Sequence, residues 1–187
     1  RGLSVSALTI PQPVESEEVT SDMLVRYVEL ARGAGIERVI LRIEEKVSNE
    51  TLEKKMAAAI AKAEKTDIQI LLETVGYLAE TENVTDIINF FSSAVLGAAW
   101  NIRGTFFGAG ESAETTIKKL GAYIKYVRLG DMKDDHTVLI GEGDLPVDKV
   151  INALTSLNYD GYICCAWNDE VNDPDIVLTH FANYIAS

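Results

Sequence analysis

The sequence predicts an α/β protein built as a parallel (β/α) barrel, of which about six strand–helix units are visible. Short apolar runs rich in Val, Ile and Leu alternate with segments of helical periodicity along the 187 residues. Strands that alternate with helices form parallel βαβ units with right-handed crossovers. The absence of a GxGxxG turn after the first strand and of a P-loop disfavours a dinucleotide-binding fold. A barrel with its functional residues at the carboxyl ends of the strands is the remaining common architecture.

The predicted elements follow one another with few interruptions. The first strand, Leu3–Thr9, ends before Pro11 and Pro13, because proline is excluded from the interior of a sheet. The first helix covers about Glu15–Ala34, and a long loop is predicted at Gly130–Leu145. The other strands are predicted at Arg38–Ile43, Asp67–Leu72, Ala98–Asn101, Tyr123–Leu129 and Gly161–Ala166. The other helices are predicted at about Asn49–Lys65, Val84–Val95, Ala113–Leu120, Val147–Leu157 and Pro174–Ala186.

Length and charge favour one acidic domain, residues 1–187, and narrow the choice of partners. The chain carries 17 Lys and Arg against 29 Asp and Glu, a net charge of −12. Nucleic acids and anionic membranes attract clustered basic residues, so neither is expected as a partner. The adjacent Cys164 and Cys165 cannot form a disulfide framework, which favours a reducing, cytoplasmic location.

Polar residues recur where the predicted strands end. Arg42, Glu73, Asn101, Arg128 and Ala166 mark five strand ends, and the intervals between them are 31, 28, 27 and 38 residues, roughly one βα unit each. Glu73 closes an otherwise apolar run, which places its carboxylate beside a barrel mouth. Two interpretations of Glu73 stay open: it belongs to a functional site, or it only caps a strand and pairs with a neighbouring arginine.

Several short motifs, in order over nearly the whole chain, resemble the xylose isomerase-like TIM-barrel family of sugar and sugar-phosphate isomerases and epimerases. The segments that carry the resemblance are Ile70–Tyr77, Trp100–Arg103, Gly110–Ser112, Tyr123–Asp131, Gly141–Asp144 and Tyr159–Tyr162. The resemblance implies a TIM-barrel fold and a site at the barrel mouth. It also implies that a divalent ion is held there by Glu, Asp, His and Glu from four successive strands, where it polarises the sugar carbonyl.

This sequence departs from the ligand pattern of that family. The first ligand, Glu73, is retained, whereas the second is Asn101, the third is Arg128 and the fourth is Ala166. Arginine stays charged and has no lone pair for a metal, but its guanidinium could replace the ion and pair with Glu73. No cofactor is therefore expected. Mn, Mg, Zn or Co would bind only if the family site survives, through Glu73 and the Asn101 carbonyl oxygen.

Neighbouring residues offer an alternative ligand set. A shifted register would bring Asp131, His136 and Asp169 to the barrel mouth in place of the missing ligands. Acidic loop segments of this kind are usually solvated, and a single histidine in a loop is seldom a ligand. The expectation of a metal-free site is therefore retained.

The resemblance implies a protein related to sugar isomerases and epimerases, with Glu73 as the catalytic candidate. The candidates for binding a small sugar, sugar acid or sugar phosphate are Arg42, Asn101, Arg128, Trp100 and Trp167. Arginine forks suit carboxylate or phosphate groups, and indole rings suit sugar rings. Core packing is the alternative interpretation of both tryptophans.

A closed barrel of this type needs eight strand–helix units, and six are visible. The resemblance begins at the third strand of the family, so the chain corresponds to the carboxyl-terminal three quarters of a barrel. Three explanations stay open: the sequence is part of a longer protein, the barrel closes in a shorter form, or a partner chain or second copy completes it. The last explanation also allows a non-catalytic structural or regulatory subunit.

Overall fold

The computed structural model describes residues 2–167 and 173–186, which form an α/β half-barrel. The strands are β1 (Leu8–Thr9), β2 (Arg38–Leu41), β3 (Gln69–Glu73), β4 (Leu96–Asn101), β5 (Ile124–Leu129), β6 (Asp131–Lys133), β7 (His136–Val138) and β8 (Tyr162–Cys165). The α-helices are α1 (Ser21–Gly33), α2 (Asn49–Glu64), α3 (Thr81–Phe91), α4 (Ala113–Leu120), α5 (Val147–Ser156) and α6 (Pro174–Ala186). Of these described helices, none is both long and apolar enough to cross a bilayer.

Six strands form one parallel sheet in the order β1-β2-β3-β4-β5-β8, and β6 and β7 form a separate antiparallel hairpin. The predicted class, six parallel strands with helices between them in an incomplete barrel, is confirmed. The carboxyl ends of all six strands therefore lie at one end of the sheet. This geometry positions the strand-end residues around a common opening.

The core has two parts because successive strand residues point to opposite faces of the sheet. The outer face packs against the helices and contributes most of the buried apolar residues, including Val39, Leu72 and Trp100. The inner face forms a small separate cluster of Ile40, Leu71, Ala99 and Tyr126. Above this cluster, toward the carboxyl ends, the inward positions become polar.

The sheet curls until side chains near its two outer strands meet at the amino ends. The strands β1 and β8 form no ladder with each other in the described residues. The guanidinium of Arg38 lies 5.1 Å from the ring centroid of Tyr162, a cation–π distance. The Ser6 and Tyr126 hydroxyls are 3.0 Å apart, and Arg38 donates to the Ser6 carbonyl at 3.4 Å. We call Ser6, Arg38, Tyr126 and Tyr162 the lower cluster.

Several elements differ from the sequence prediction, and α1 begins at Ser21 instead of about Glu15. The first strand covers only Leu8–Thr9, which pair with Val39 and Ile40 near the start of β2. The segment predicted as a long loop contains the β6–β7 hairpin, which Asp131 organises. Asp131 is 1% exposed and accepts backbone N–H bonds from Met132, Gly141, Gly143 and Leu145 at 2.8–3.1 Å.

Candidate functional site

A cavity of about 610 Å³ opens at the carboxyl ends of the strands. Its size lies in the usual range for small-molecule sites. Five of the six residues singled out from the sequence as site candidates line it, together with the fourth ligand position: Arg42, Glu73, Asn101, Arg128, Trp167 and Ala166. The expectation that the strand ends converge on one opening is therefore confirmed for these residues.

Glu73 is the buried centre of this site. It ends β3 on the inward face, in line with Leu71, and is 2% exposed. Its Oε1 accepts two hydrogen bonds, one from Asn101 Nδ2 at 2.8 Å and one from Arg128 Nη1 at 3.0 Å. Its Oε2 is buried and has no hydrogen-bond partner among the described residues. The carboxylate therefore keeps one oxygen with unused acceptor capacity.

Asn101 is held in place by hydrogen bonds with the Thr74 hydroxyl and the Gly104 backbone. Its N–H donates to Thr74 Oγ1 at 2.8 Å, and that hydroxyl donates to the Asn101 carbonyl at 3.1 Å. The Gly104 N–H donates to Asn101 Oδ1 at 3.3 Å, which turns the amide NH₂ group toward Glu73. The side chain thus presents a donor to the carboxylate and uses its oxygen elsewhere.

Arg128 reaches Glu73 from β5, two strands away in the sheet. Asn101 and Arg128 are register partners across β4 and β5, so the parallel pairing holds both donors beside the same carboxylate. Arg128 forms an ion pair with Glu73, and in residues 2–167 and 173–186 its buried Nε has no hydrogen-bond partner. A fixed positive charge therefore lies at the floor of the cavity.

Arg42 occupies the rim of the cavity, directly after β2. Its guanidinium donates to the Pro11 carbonyl and lies 3.5 Å from Glu44 Oε1. Its Nε is buried, and none of the described residues is its hydrogen-bond partner. Arg42 is thus held in place by the rim loops and lies on the same cavity as Arg128.

The two tryptophans have different environments. Trp167 lines the cavity. Trp100 is fully buried on the helix side of the sheet, where its Nε1 donates to Thr105 Oγ1 at 3.0 Å. Trp100 is therefore a core residue, which agrees with the core-packing interpretation and not with ligand stacking, because it is the strand neighbour of inward-facing Asn101 and must point to the other face.

The structure adds three residues to the site that the sequence analysis left without a role. Arg103 and Met132 line the cavity, and Arg103 Nη1 donates to Thr137 on the β6–β7 hairpin at 3.4 Å. Gly104 begins a short π-helix, Gly104–Gly108, and a Cβ added there would collide with the Thr74 carbonyl. Arg103 lies two residues after Asn101 in the Trp100–Arg103 segment. This proximity is the feature of the sequence that could have identified Arg103 as a residue of the site.

Two titratable side chains below the site, Tyr126 and Cys165, stay neutral at ordinary pH. Burial raises the pKa of Tyr126, the neighbouring Cys164 raises it further, and the Ser6 hydrogen bond opposes the shift. Burial, followed by the charge of Cys164, also raises the pKa of Cys165. Both cysteines are free thiols. The raised pKa means that the Cys165 thiol is not activated as a nucleophile.

The described residues do not fit a divalent metal ion. No three His, Cys, Asp or Glu side chains in residues 2–167 and 173–186 come close enough to bind one. Glu73 faces an arginine and an amide NH₂, both of which are donors, and Ala166 offers no ligand atom. Among the alternative ligands, Asp131 already accepts four backbone N–H bonds through its two carboxylate oxygens, and His136 is exposed on the hairpin. Asp169 lies outside the described residues.

Comparisons with known proteins agree on the fold. The family model described as xylose isomerase-like TIM barrel matches residues 3–183. None of the curated proteins matches the chain significantly. An L-ribulose 3-epimerase structure aligns with 96% of this chain and 73% of its own, at 16% identity and a TM-score of 0.79.

Two further solved structures show the same similarity. A D-tagatose 3-epimerase-like protein aligns with 96% of this chain and 76% of its own, at 22% identity and a TM-score of 0.74. The IOLI protein with a bound zinc atom aligns with 97% of this chain and 71% of its own, at 18% identity and a TM-score of 0.68. At these identities the likeness establishes the fold.

Proposed function

The chain belongs to the xylose isomerase-like TIM barrel family, and on this basis we propose that it is a sugar isomerase- or epimerase-like protein. We further propose that it binds a small sugar, sugar acid or sugar phosphate without a metal ion. The observation that carries the proposal is the Glu73–Arg128 pair, with Asn101, on the floor of the cavity. Glu73 is the catalytic candidate. Arg128 takes the charge-balancing role that an ion would have beside this carboxylate.

The polar atoms left without partners support a polyhydroxy ligand. Within the part of the chain that the structure describes, Glu73 Oε2 is a buried acceptor without a partner, and the Nε atoms of Arg42 and Arg128 are buried donors without partners. Buried polar atoms without partners are costly, so each gains from a ligand that supplies the complementary group. A sugar hydroxyl can donate to the carboxylate, and a carboxylate or phosphate can accept from an arginine fork.

Apolar atoms complete the complementarity to a carbohydrate. Trp167, Val75 and Met132 line the cavity beside the charged groups. The C–H faces of a sugar pack on such surfaces while its hydroxyls reach polar groups. The structurally similar proteins include an L-ribulose 3-epimerase and a D-tagatose 3-epimerase-like protein, which is consistent with a small carbohydrate ligand.

The proposal is tested by thermal denaturation of the purified protein with neutral sugars, sugar acids and sugar phosphates. We expect the acids or phosphates to raise Tm more than the neutral sugars do. Arg128→Ala should remove this stabilisation, whereas Arg26→Ala, an arginine on the exposed side of α1, should keep it. If none of the tested sugars, sugar acids and sugar phosphates changes Tm, the proposal is wrong.

A non-catalytic structural or regulatory subunit is the second candidate. The observation that favours it is the open edge of the sheet, where Leu3 is 93% and Tyr162 48% exposed. A second copy or a partner chain would cover these groups. Light scattering after size exclusion tests this candidate, since a monomer at all concentrations, with no partner needed for solubility, would argue against it.

The free cysteines support a proposal for the cellular location. Both described cysteines are free, and free thiols are typical of a reducing compartment. We therefore propose a cytoplasmic location, and the proposed carbohydrate ligand suggests a role in carbohydrate metabolism. Localisation of the tagged protein by fractionation tests this assignment.

A further inference from the structure

The ammonium group of Lys55, on α2, lies among three backbone carbonyls of the loop that follows β1. Its Nζ donates to the carbonyls of Val14 at 2.7 Å, Glu15 at 3.2 Å and Ser16 at 2.8 Å. A lysine ammonium has three N–H donors, so these bonds use all of them. Lys55 therefore ties three successive loop residues to α2. We call residues 11–16 the rim segment.

The rim segment contacts Arg42 at two points. The Pro11 carbonyl accepts a hydrogen bond from the Arg42 guanidinium, and the Val14 N–H donates to the Arg42 carbonyl at 2.9 Å. Val14 itself is buried in the core. The position of the rim segment therefore affects both the backbone and the side chain of Arg42.

The second partner of the Arg42 guanidinium, Glu44, is also held by the rim segment. Glu15 Oε1 accepts from the Glu44 N–H at 2.9 Å and from the Glu45 N–H at 3.0 Å. Glu44 in turn lies 3.5 Å from Arg42 Nη1. Both groups that hold the guanidinium are thus connected to the segment that Lys55 anchors.

The direction of the Arg42 donors follows from these contacts. A guanidinium is planar and rigid, so the partners of its two terminal nitrogens also determine where Nε–H points. Arg42 lines the cavity, and its buried Nε has no partner in residues 2–167 and 173–186. A side chain that is already ordered loses less conformational entropy when it binds a ligand. Arg42 is therefore pre-organised for an anionic group.

We infer that Lys55 is a positioning residue of this site: through the rim segment it fixes Arg42 and so gives the cavity a preference for anionic over neutral sugars. The inference rests on the proposed function, because it requires that Arg42 binds a carboxylate or phosphate of the ligand. It deepens that proposal by assigning ligand selectivity to a helix residue outside the described wall of the cavity.

The inference is tested by titration calorimetry with a matched pair of ligands, D-ribose 5-phosphate and D-ribose. If another sugar phosphate raises Tm more, that phosphate and its parent sugar form the pair. Lys55→Met keeps the aliphatic part of the side chain and removes only the ammonium. We expect Lys55→Met and Arg42→Met each to weaken binding of the phosphate by roughly 10-fold or more. Binding of the neutral sugar should not change.

The double variant separates positioning from a general loss of structure. Because Lys55 acts through Arg42, the variant with both substitutions should bind the phosphate as weakly as Arg42→Met alone. A purely structural role of Lys55 would weaken binding of both ligands and would add to the effect of Arg42→Met. Lys54→Met, at an exposed position on the same helix, is the matched control and should bind like the wild type.

Hydrogen–deuterium exchange provides a measurement that needs no ligand. Lys55→Met should speed amide exchange of Val14, Glu44 and Glu45, whose N–H groups are donors in this network, whereas the amides of β4 should exchange as before. Far-UV circular dichroism verifies folding first. If Lys55→Met does not fold, Glu15→Ala replaces it, because this change removes the acceptor that connects the rim segment to Glu44.

The outcomes distinguish this inference from the proposed function. If the wild type and Lys55→Met bind the phosphate equally well, or the losses in the double variant are additive, the inference is wrong and the proposed function stands. The same holds if the wild type binds the neutral sugar as tightly as its phosphate. Unchanged amide exchange in the folded variant would also overturn the inference. If the wild type binds no sugar, sugar acid or sugar phosphate, both are wrong.

Discussion

Arg128 Nη1 lies 3.0 Å from Glu73 Oε1, which joins β5 to β3 across the intervening strand β4. Asn101, on β4, donates to the same oxygen at 2.8 Å. Three successive strands thus direct one carboxylate, one amide and one guanidinium to a single point at the barrel mouth. A negative and a positive charge compensate each other there without an added ion, and the properties of this pair determine what the site can bind.

Substitutions of Glu73 and Arg128 should have non-additive effects on the free energy of unfolding. Arg128→Met should lower the free energy of unfolding by about 1–3 kcal/mol, because it leaves a buried carboxylate with a single donor. Adding Glu73→Gln should recover part of this loss. Urea denaturation of the two single variants and the double variant measures the coupling, with Arg26→Met as the control for loss of a surface arginine. Additive effects of the two substitutions would contradict a direct pair.

Asp131 should be a structural residue and not a ligand. Its carboxylate accepts four backbone N–H bonds that fold residues 130–145. Asp131→Ala should therefore cost at least about 3 kcal/mol, because the buried N–H groups lose their acceptor. Asp144→Ala, an exposed carboxylate in the same loop, should cost much less. Equal Tm values for both variants would show that the hairpin does not depend on Asp131.

Glu111 should make stability depend on pH. Its carboxylate accepts from the Thr81 N–H at 3.1 Å, the Thr81 hydroxyl at 2.7 Å and Lys119 Nζ at 3.0 Å. Burial pushes the pKa of Glu111 upward, but these hydrogen bonds together with the Lys119 charge outweigh burial, and the pKa lies below its ordinary 4.5.

Because the folded-state pKa of Glu111 is the lower one, the unfolded chain binds the proton first. This contribution to stability is complete above about pH 4.5 and is lost as the pH falls through the folded-state pKa. Urea denaturation over this range should show a smaller acid loss for Glu111→Gln than for the wild type. Thr81→Val, which removes one donor, should lie between them. The same pH dependence in all three proteins would refute this role.

The lower cluster should hold the curled sheet together. Tyr162→Leu removes the ring that lies 5.1 Å from the Arg38 guanidinium and should lower stability by about 0.5–2 kcal/mol. The effect of the same substitution should shrink in an Arg38→Met background. Tyr123→Leu, an exposed tyrosine directly before β5, is the control. An unchanged effect of Tyr162→Leu in both backgrounds would show that the two side chains do not interact.

The alternation of elements and the position of Glu73 could be predicted because both are local. An apolar run that ends in Glu73 indicates a strand and the residue at which the strand ends. It thereby also indicates the end of the sheet at which the candidate site residues lie. Strand parity also gives the direction of each side chain: since Asn101 faces the cavity, Trp100 must face the helices. The ligand-binding interpretation of Trp100 conflicts with this alternation, whereas the core-packing interpretation agrees with it.

The remaining features depend on contacts between distant residues. The loop after the β6–β7 hairpin is held by Asp131, which accepts from N–H groups as far away as Leu145, and local sequence patterns do not reveal bonds over that distance. The first strand is short because only Leu8 and Thr9 pair with β2, which only the sheet register reveals. The π-helix at Gly104–Gly108 likewise depends on the close approach of Gly104 to the Thr74 carbonyl.

Metal content is the most direct test of a site in which Arg128 replaces an ion. The purified protein is dialysed against Mn²⁺, Mg²⁺, Zn²⁺ or Co²⁺, and bound metal is measured by elemental mass spectrometry beside the triple variant Asn101→Asp, Arg128→His, Ala166→Glu. We expect metal far below one ion per chain in the wild type and close to one ion in the triple variant. One ion per wild-type chain that is lost in Glu73→Gln would contradict the metal-free site.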